Sequence, residues 1–402
     1  MLQTCVEGIS SRTIGLRFKS WREIMSKEIH GYCEPHFAAI KEAFASGFEN
    51  NYEMGASVAV THGDDFVVDL WAGYADEEKS KPFTHDTLVY VASTTKIVTN
   101  LCALMLIDEG KLDPEKPMVD YWPGFGKHGK DRILVKHLFA HTAGVPGWKP
   151  PVPWKTMTDW DQAIEVMEAQ PLWYEPGTKV CYHAETFGFL AGELIRRLSG
   201  LTPGKFLREH IAPKIDADIW IGIPDAELES FIRRISDIIR DDVPPETISR
   251  MPEVFACYEE PMWYVPELLT REFPGGNCLT TANALAKIGA IHANHGEFLG
   301  HRFLSKATLD FALQEQSYDA DIAVLDERIR RGFGLGINSV EFPCPSDQCL
   351  HWGGQGGSFV MMDLMSKTSI AYVPNNWLGE GFHDDPRNVA LIDAYTEIVK
   401  QV

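Results

Sequence analysis

The apolar and polar positions divide the chain into two β-rich ends and a middle of different texture. Residues 1–28 carry no regular pattern, and 29–48 read as a helix. Two runs rich in β-branched and aromatic residues, 56–60 and 66–71, flank Thr61-His62-Gly63-Asp64-Asp65. So short a polar link with a glycine predicts an antiparallel hairpin. A third apolar run, 88–91, gives way at Ser93 to a helical pattern over 96–109, with Gly110 as its stop. From 112 to about 266, short helices alternate with loops rich in Pro, Gly and Trp, such as 146–154 and 175–178. After Gly275 come a helix at 281–294, strands at 359–364 and 368–373, and a closing helix at 387–402. Strands supplied by both chain ends meet most simply in one sheet. The expected fold is therefore α/β (α+β), with one α/β domain built from 1–111 and 271–402. A mostly helical domain, 112–270, is inserted into it. A cleft between the two is the expected place for a site.

Composition narrows the function classes. The chain has 402 residues, 45% of them hydrophobic and 23% charged, which is ordinary for a globular protein with a sizeable core. The formal net charge of −20 argues against nucleic acid, which needs clustered Lys and Arg, and against an anionic membrane surface. The eight cysteines include no C-x-x-C pair and are too few for a disulfide scaffold, although Cys344 and Cys349 flank Pro345 in one loop. Residues 1–17 hold no continuous apolar segment of the secretory kind, and no apolar run reaches the ~18 residues of a membrane span. The expectation is a reduced, soluble, cytoplasmic protein; a homo-oligomer is compatible with it.

Several patterns carry little chemistry. Gly124 to Gly129 fits G-x-G-x-x-G but lies in a Pro/Trp/Gly loop, without the strand before and helix after that a nucleotide site needs. The run from Gly200 to Lys205 is one residue short of a P-loop. His137 and His141 are four apart, with no Glu following His137, and read as structural histidines, so no metal site is expected. No G-x-S-x-G occurs, which disfavours an α/β-hydrolase.

Ser93-Thr94-Thr95-Lys96 is different. It lies where a strand run becomes a helix, and positions i and i+3 share a helical face, so the Lys96 amine reaches the Ser93 hydroxyl. Serine is a poor nucleophile until a base takes its proton, and a desolvated lysine is neutral enough to serve. Two more stretches join it. One is Glu175-Pro176-Gly177-Thr178-Lys179-Val180-Cys181-Tyr182, followed by a helical pattern. The other is Trp352-Gly353-Gly354-Gln355-Gly356-Gly357-Ser358 ahead of a strand, where glycines allow close approach of another backbone or a substrate.

Together these stretches resemble the serine β-lactamase and penicillin-recognising enzyme superfamily, in particular its class C-like branch and the family VIII carboxylesterases. The resemblance runs from about residue 30 to the end. It includes Leu138-Phe139-Ala140-His141-Thr142-Ala143-Gly144, Gly275-Gly276 and Gly332-Phe333-Gly334-Leu335-Gly336. It implies a β-lactamase/transpeptidase-like fold, an antiparallel sheet flanked by helices. It also implies Ser93 as acyl-accepting nucleophile, Lys96 as its activating partner and Tyr182 as base or proton relay. The backbone N–H groups of Ser93 and Gln355 would form the oxyanion hole. Which of Lys96 and Tyr182 formally takes the proton stays open.

The departures are informative. The family's Y-x-N reads Tyr182-His183-Ala184, so an asparagine is missing. Its K-T-G or H-x-G triad reads Trp352-Gly353-Gly354. Tryptophan offers an apolar face and one N–H donor but no charge for a β-lactam carboxylate. His351 should point to the opposite face of the strand. Trp352, Gly353 and Gly354 are therefore expected to meet substrate. Trp148, Trp154 or Trp173 is expected to wall the acyl pocket, as is Phe125 or Tyr121. The expected function is a serine carboxylesterase acting on small-molecule esters of short to medium chain, with no metal or organic cofactor. A β-lactamase, a small-amide hydrolase or an acyltransferase would use the same residues; a non-catalytic binding protein of the same fold is the reading of another class.

Overall fold

A computed structural model describes residues 28–240, 269–324, 327–378 and 384–401. The first sheet strand, β1 (His30–Cys33), occupies the front of the stretch expected to be one helix. Gly31 at φ 104° is incompatible with a helix, and Pro35 disfavours helical backbone at the residue before it. Helix α1 (Ala38–Glu49) starts only beyond that proline. The expected hairpin follows as β2 (Gly55–His62) and β3 (Asp65–Gly73). Strand β4 (Val89–Tyr90) leads into helix α2 (Thr95–Asp108). The middle of the chain supplies helix α3 (Thr186–Ser199), closed by Gly200 at φ 78°, and strand β5 (Ile219–Ile221). Beyond it lie β6 (Cys278–Thr280) and α4 (Ala282–Ala293). The last part holds β7 (Gly336–Ile337), β8 (Cys349–Gly353), β9 (Phe359–Asp363), β10 (Thr368–Pro374) and α5 (Pro386–Val399).

Seven strands form one antiparallel sheet in the order β1-β3-β2-β10-β9-β8-β7. The pairing of β2 with β10, Ala59 opposite Ala371, joins the two chain ends. Side chains alternate between two apolar layers, as a strand's period of two requires. Phe359, Met361, Ile370 and Tyr372 face Phe44, Leu391 and Tyr395 of α1 and α5. Val360, Met362, Ala371 and Val373 face the opposite layer, which holds α2, α3 and α4. Trp352 belongs to that second layer. His351, one residue earlier, stacks on Phe342 of the first layer, as alternation predicts.

The second layer crosses the expected boundaries at 111 and 270. One apolar cluster holds Val98 and Leu101, then Trp122, Phe139, Phe187 and Leu194, then Leu285 and Ile288. Strand β6 also pairs with both β4 and β5. Residues 241–268 of the middle segment, and 1–27, lie outside the described residues. Among the described residues, Cys33, Cys102, Cys181, Cys278, Cys344 and Cys349 are free thiols, and no helix is long and apolar enough to cross a membrane.

Candidate active site

The chain leaves β4 and turns sharply into α2 through a single tight turn, Ala92–Thr94, that carries Ser93. Ala92 takes a left-handed backbone at φ 43°, which disfavours any residue with a Cβ by about 1–2 kcal/mol and disfavours bulky ones more. Thr95 holds the turn: its hydroxyl donates to Ala92 O at 2.6 Å and accepts from Cys278 N at 2.8 Å. Ser93 keeps partial exposure while Ala92 and Thr94 are buried.

One turn into α2, Lys96 is fully buried. Its Nζ lies 3.1 Å from Ser93 Oγ, 2.8 Å from Ala184 O and 2.7 Å from Gly275 O. Desolvation pulls its pKa down to about 7, against the opposing pull of the Glu185 carboxylate. Ala184 stands where the family has its asparagine, and here the backbone carbonyl contacts the lysine. Gly275 Cα and N lie against Gly188 of α3, where a Cβ at 188 would come within 2.2 Å of Gly275 N. Glycine at 188 thus allows the close approach of Gly275, whose carbonyl reaches Lys96.

Tyr182 lies in a stretch with neither helix nor strand, residues 181–183. Three consecutive N–H groups hold that stretch. Cys181 N donates to His141 O at 3.0 Å, Tyr182 N to Asp321 Oδ1 at 2.8 Å, and His183 N to His141 Nδ1 at 3.1 Å. His141 must therefore be neutral, and burial does hold its pKa well below the usual histidine range. The Lys96 amine sits 4.9 Å from the centre of the Tyr182 ring. Desolvation raises the Tyr182 phenol above its usual value, and a hydrogen bond with Ser93 works against that rise.

The glycine turn after β8 packs on the Ser93 turn. A Cβ on Gly354 would stand 2.4 Å from Val91 O and 2.9 Å from Thr94 N, so only glycine permits this approach. Ser358 Oγ donates to Val91 O at 3.0 Å, and Thr94 Oγ1 donates to Ser358 O at 3.1 Å. These bonds set the spacing between the Ser93 turn and residues 353–355. Gln355 is exposed at the tip of the turn and Gly353 is half-buried. The Trp352 ring is 5.8 Å from Tyr182 and stacks on His141 at 5.9 Å. Its Nε1 has no hydrogen-bond partner among the described residues.

The structure thus brings Ser93, Lys96, Tyr182, Trp352, Gly353, Gly354 and Gln355 together. It does not bring in Phe125 or Trp148, and their expected place on the substrate wall is corrected. Both are fully buried: Phe125 stacks on Trp122 at 4.6 Å, and Trp148 packs edge-on against Phe189 at 5.6 Å. Their apolar surface is spent on the core. Trp173 is the tryptophan of that region beside Tyr182, in a small cluster with Cys181 and Ala323. The glycine run at 124–129 is a kinked turn with positive φ at His128 and Gly129, not a strand-to-helix loop. Sequence reasoning missed Glu185, Asp321 and Arg331. Asp321 lies 139 residues from Tyr182, and no spacing along the chain signals that contact. Among the described residues no cluster of three or more His, Cys, Asp or Glu is arranged for a metal ion.

Known proteins share this fold. The Beta-lactamase family model matches residues 42–394. The chain is similar to the esterase/β-lactamase LipL of Mycobacterium tuberculosis, 32% identical over 296 residues, 70% of this chain and 68% of that protein. A family VIII carboxylesterase of known structure superposes with a TM-score of 0.84 at 30% identity, covering 92% of this chain and 100% of the other. A penicillin-binding protein homologue from Caulobacter crescentus superposes with a TM-score of 0.82 at 32% identity, again over 92% and 100%. The protein is an enzyme, a serine hydrolase. By the model that spans most of its length and by the relatives that share its fold, the chain belongs to the Beta-lactamase family, within the serine β-lactamase/transpeptidase superfamily.

Proposed function

We propose that the protein is a serine carboxylesterase that hydrolyses short- to medium-chain esters through an acyl-enzyme on Ser93. One observation carries the reading: the fully buried Lys96 amine, 3.1 Å from the Ser93 hydroxyl, with its pKa pulled down to about 7. A neutral amine has two N–H donors and one lone pair. The carbonyls of Ala184 and Gly275 take the two donors, which leaves the lone pair to accept the Ser93 proton.

Ser93 Oγ then attacks the ester carbonyl carbon as its proton passes to Lys96 Nζ. The backbone N–H groups of Ser93 and Gln355 meet the developing oxyanion; such a donor is typically worth about 3–4 kcal/mol in the transition state. Collapse breaks the bond to the alcohol oxygen, which leaves with a proton delivered through the Tyr182 hydroxyl. The acyl group stays on Ser93. A water molecule repeats the cycle in place of the alcohol, and the carboxylic acid departs with Ser93 restored. The raised pKa of Tyr182 favours a neutral phenol, which suits a relay better than a free-standing base. Side chains and water supply every proton and electron pair in this scheme. Trp352, with an apolar face and an unpaired N–H but no charge, favours an ester without a carboxylate over a β-lactam.

The test is steady-state hydrolysis of p-nitrophenyl acetate, butyrate and octanoate, with nitrocefin alongside. The esters are expected to turn over at least about 100-fold faster than nitrocefin. Ser93→Ala should lower kcat by about 10⁴-fold or more, and Tyr182→Phe by about 10²- to 10⁴-fold. Ester turnover that survives Ser93→Ala would remove the nucleophile assignment. Faster turnover of nitrocefin would make the protein a β-lactamase first.

A further inference from the structure

Two of the three N–H groups that hold residues 181–183 go to His141, next to this stretch in space. The middle one, from Tyr182 itself, goes to a side chain from elsewhere: Asp321 Oδ1, at 2.8 Å. The same oxygen accepts from Ala323 N at 3.0 Å. The other carboxylate oxygen accepts from Arg331 Nη2 at 2.6 Å. Both side chains of this ion pair are fully buried, with relative exposures of 0% and 0%. The Arg331 guanidinium lies 5.9 Å from the centre of the Trp352 ring, and that ring is 5.8 Å from Tyr182.

Stability does not account for such a pair. Desolvating two charges is expensive, and well-packed apolar residues of similar volume are often as stabilising. An apolar pair, however, cannot present an acceptor to the backbone of residue 182. We propose that Asp321, locked in orientation by Arg331, is the positioning residue for Tyr182. This rests on the reading of Tyr182 as the proton relay. The carboxylate fixes the Tyr182 backbone from below. Arg331 takes the far oxygen, which stops the carboxylate from rotating away, and its guanidinium also backs Trp352. One buried pair therefore sets both the relay and the wall beside it. A misplacement of about 1 Å in such a group lowers turnover by about 10²-fold.

The test is a mutant cycle on hydrolysis of p-nitrophenyl butyrate. Asp321→Asn is nearly isosteric, but its single amide oxygen serves either the Tyr182 and Ala323 N–H groups or Arg331, not both. Arg331→Lys keeps the charge and gives up the planar fork. Each is measured in the wild type and in Tyr182→Phe, with kcat expressed per Ser93 that a fluorophosphonate titrates, so that misfolded protein drops out. In the wild-type background each variant should lower kcat by about 10-fold or more with KM within about 3-fold. In the Tyr182→Phe background the further loss should fall below about 2-fold, because the group being positioned is gone. An equal loss in both backgrounds, a loss confined to KM, or an unchanged kcat would overturn the proposal. Wild-type turnover by Tyr182→Phe alone would instead remove the relay reading on which it rests.

Discussion

The Lys96 amine lies against one hydroxyl and two carbonyls, and the coulombic pull of the Glu185 carboxylate opposes the desolvation of its ammonium form. The sign of the pH dependence follows. In the proposed mechanism the neutral amine is the active form, so kcat/KM for esters is expected to be low in acid, to rise with pH through about 7 and then to level. Glu185→Gln removes the contribution that raises this pKa, so the rising limb should move to lower pH. Lys96→Arg should abolish turnover at every pH, since a guanidinium does not lose its proton in this range. A pH–rate profile of the three proteins checks all of this; a limb that stays in place in Glu185→Gln would contradict the electrostatics. The serine and lysine were legible in the sequence because they are three residues apart where a turn runs into α2, and that spacing fixes proximity. Glu185, Asp321 and Arg331 were not, because their contacts join segments far apart in sequence.

At the scale of elements, glycine does two different jobs at close approaches. Gly354 lets the end of β8 meet the Ser93 turn, where a Cβ would collide with backbone atoms that have nowhere to go. Gly289 lets α4 lie on β9 and β10, where a Cβ would come within 3.0 Å of Val360 and closer still to the Ser369 hydroxyl. Gly354→Ala should therefore lower kcat by about 100-fold or more, because it moves the Gln355 N–H away from Ser93. Gly289→Ala should cost about 1–3 kcal/mol of stability, with kcat per titrated Ser93 near wild type. Thermal unfolding and ester turnover on both variants separate the two effects; a stability loss alone for Gly354→Ala would detach that turn from catalysis. Strands β2, β3, β9 and β10 were legible from β-rich runs. The misread element, β1, is a short edge strand whose helical pattern was interrupted by Gly31 and Pro35. Phe125 and Trp148 were misread because aromatic content in a loop-rich segment does not tell which aromatics the core absorbs.

Across the whole molecule, a buried charge cluster ties the link between α1 and β2, the glycine turn and the start of α5 together. Arg387 pairs with Asp385 at 2.6 Å and with Glu53 at 3.4 Å, and donates to Gly356 O at 3.0 Å. The Tyr372 hydroxyl donates to Glu53. Burial pushes the Glu53 pKa up to about 7, with Arg387 opposing. A carboxyl raised above its unfolded value of 4.5 holds a proton in the folded state that the unfolded chain has lost. Its contribution to stability is present at low pH and is lost as pH rises through about 7. Glu53→Gln carries no such proton, so the wild type should be more stable relative to this variant at pH 5 than at pH 8. Thermal midpoints of both proteins at the two pH values test this; a gap independent of pH would refute it. The sequence alone determined what depends on neighbours along the chain: the hairpin, the serine-to-lysine spacing at the entry to α2, the glycine turns and the family they resemble. The tertiary structure decided what depends on burial and long-range contact. It alone buries Lys96 and lowers its pKa, seats Tyr182 on Asp321 and His141, and sends Phe125 and Trp148 into the core. Desolvation and hydrogen bonds between distant segments exist only once the chain has folded, so no spacing along it encodes them directly.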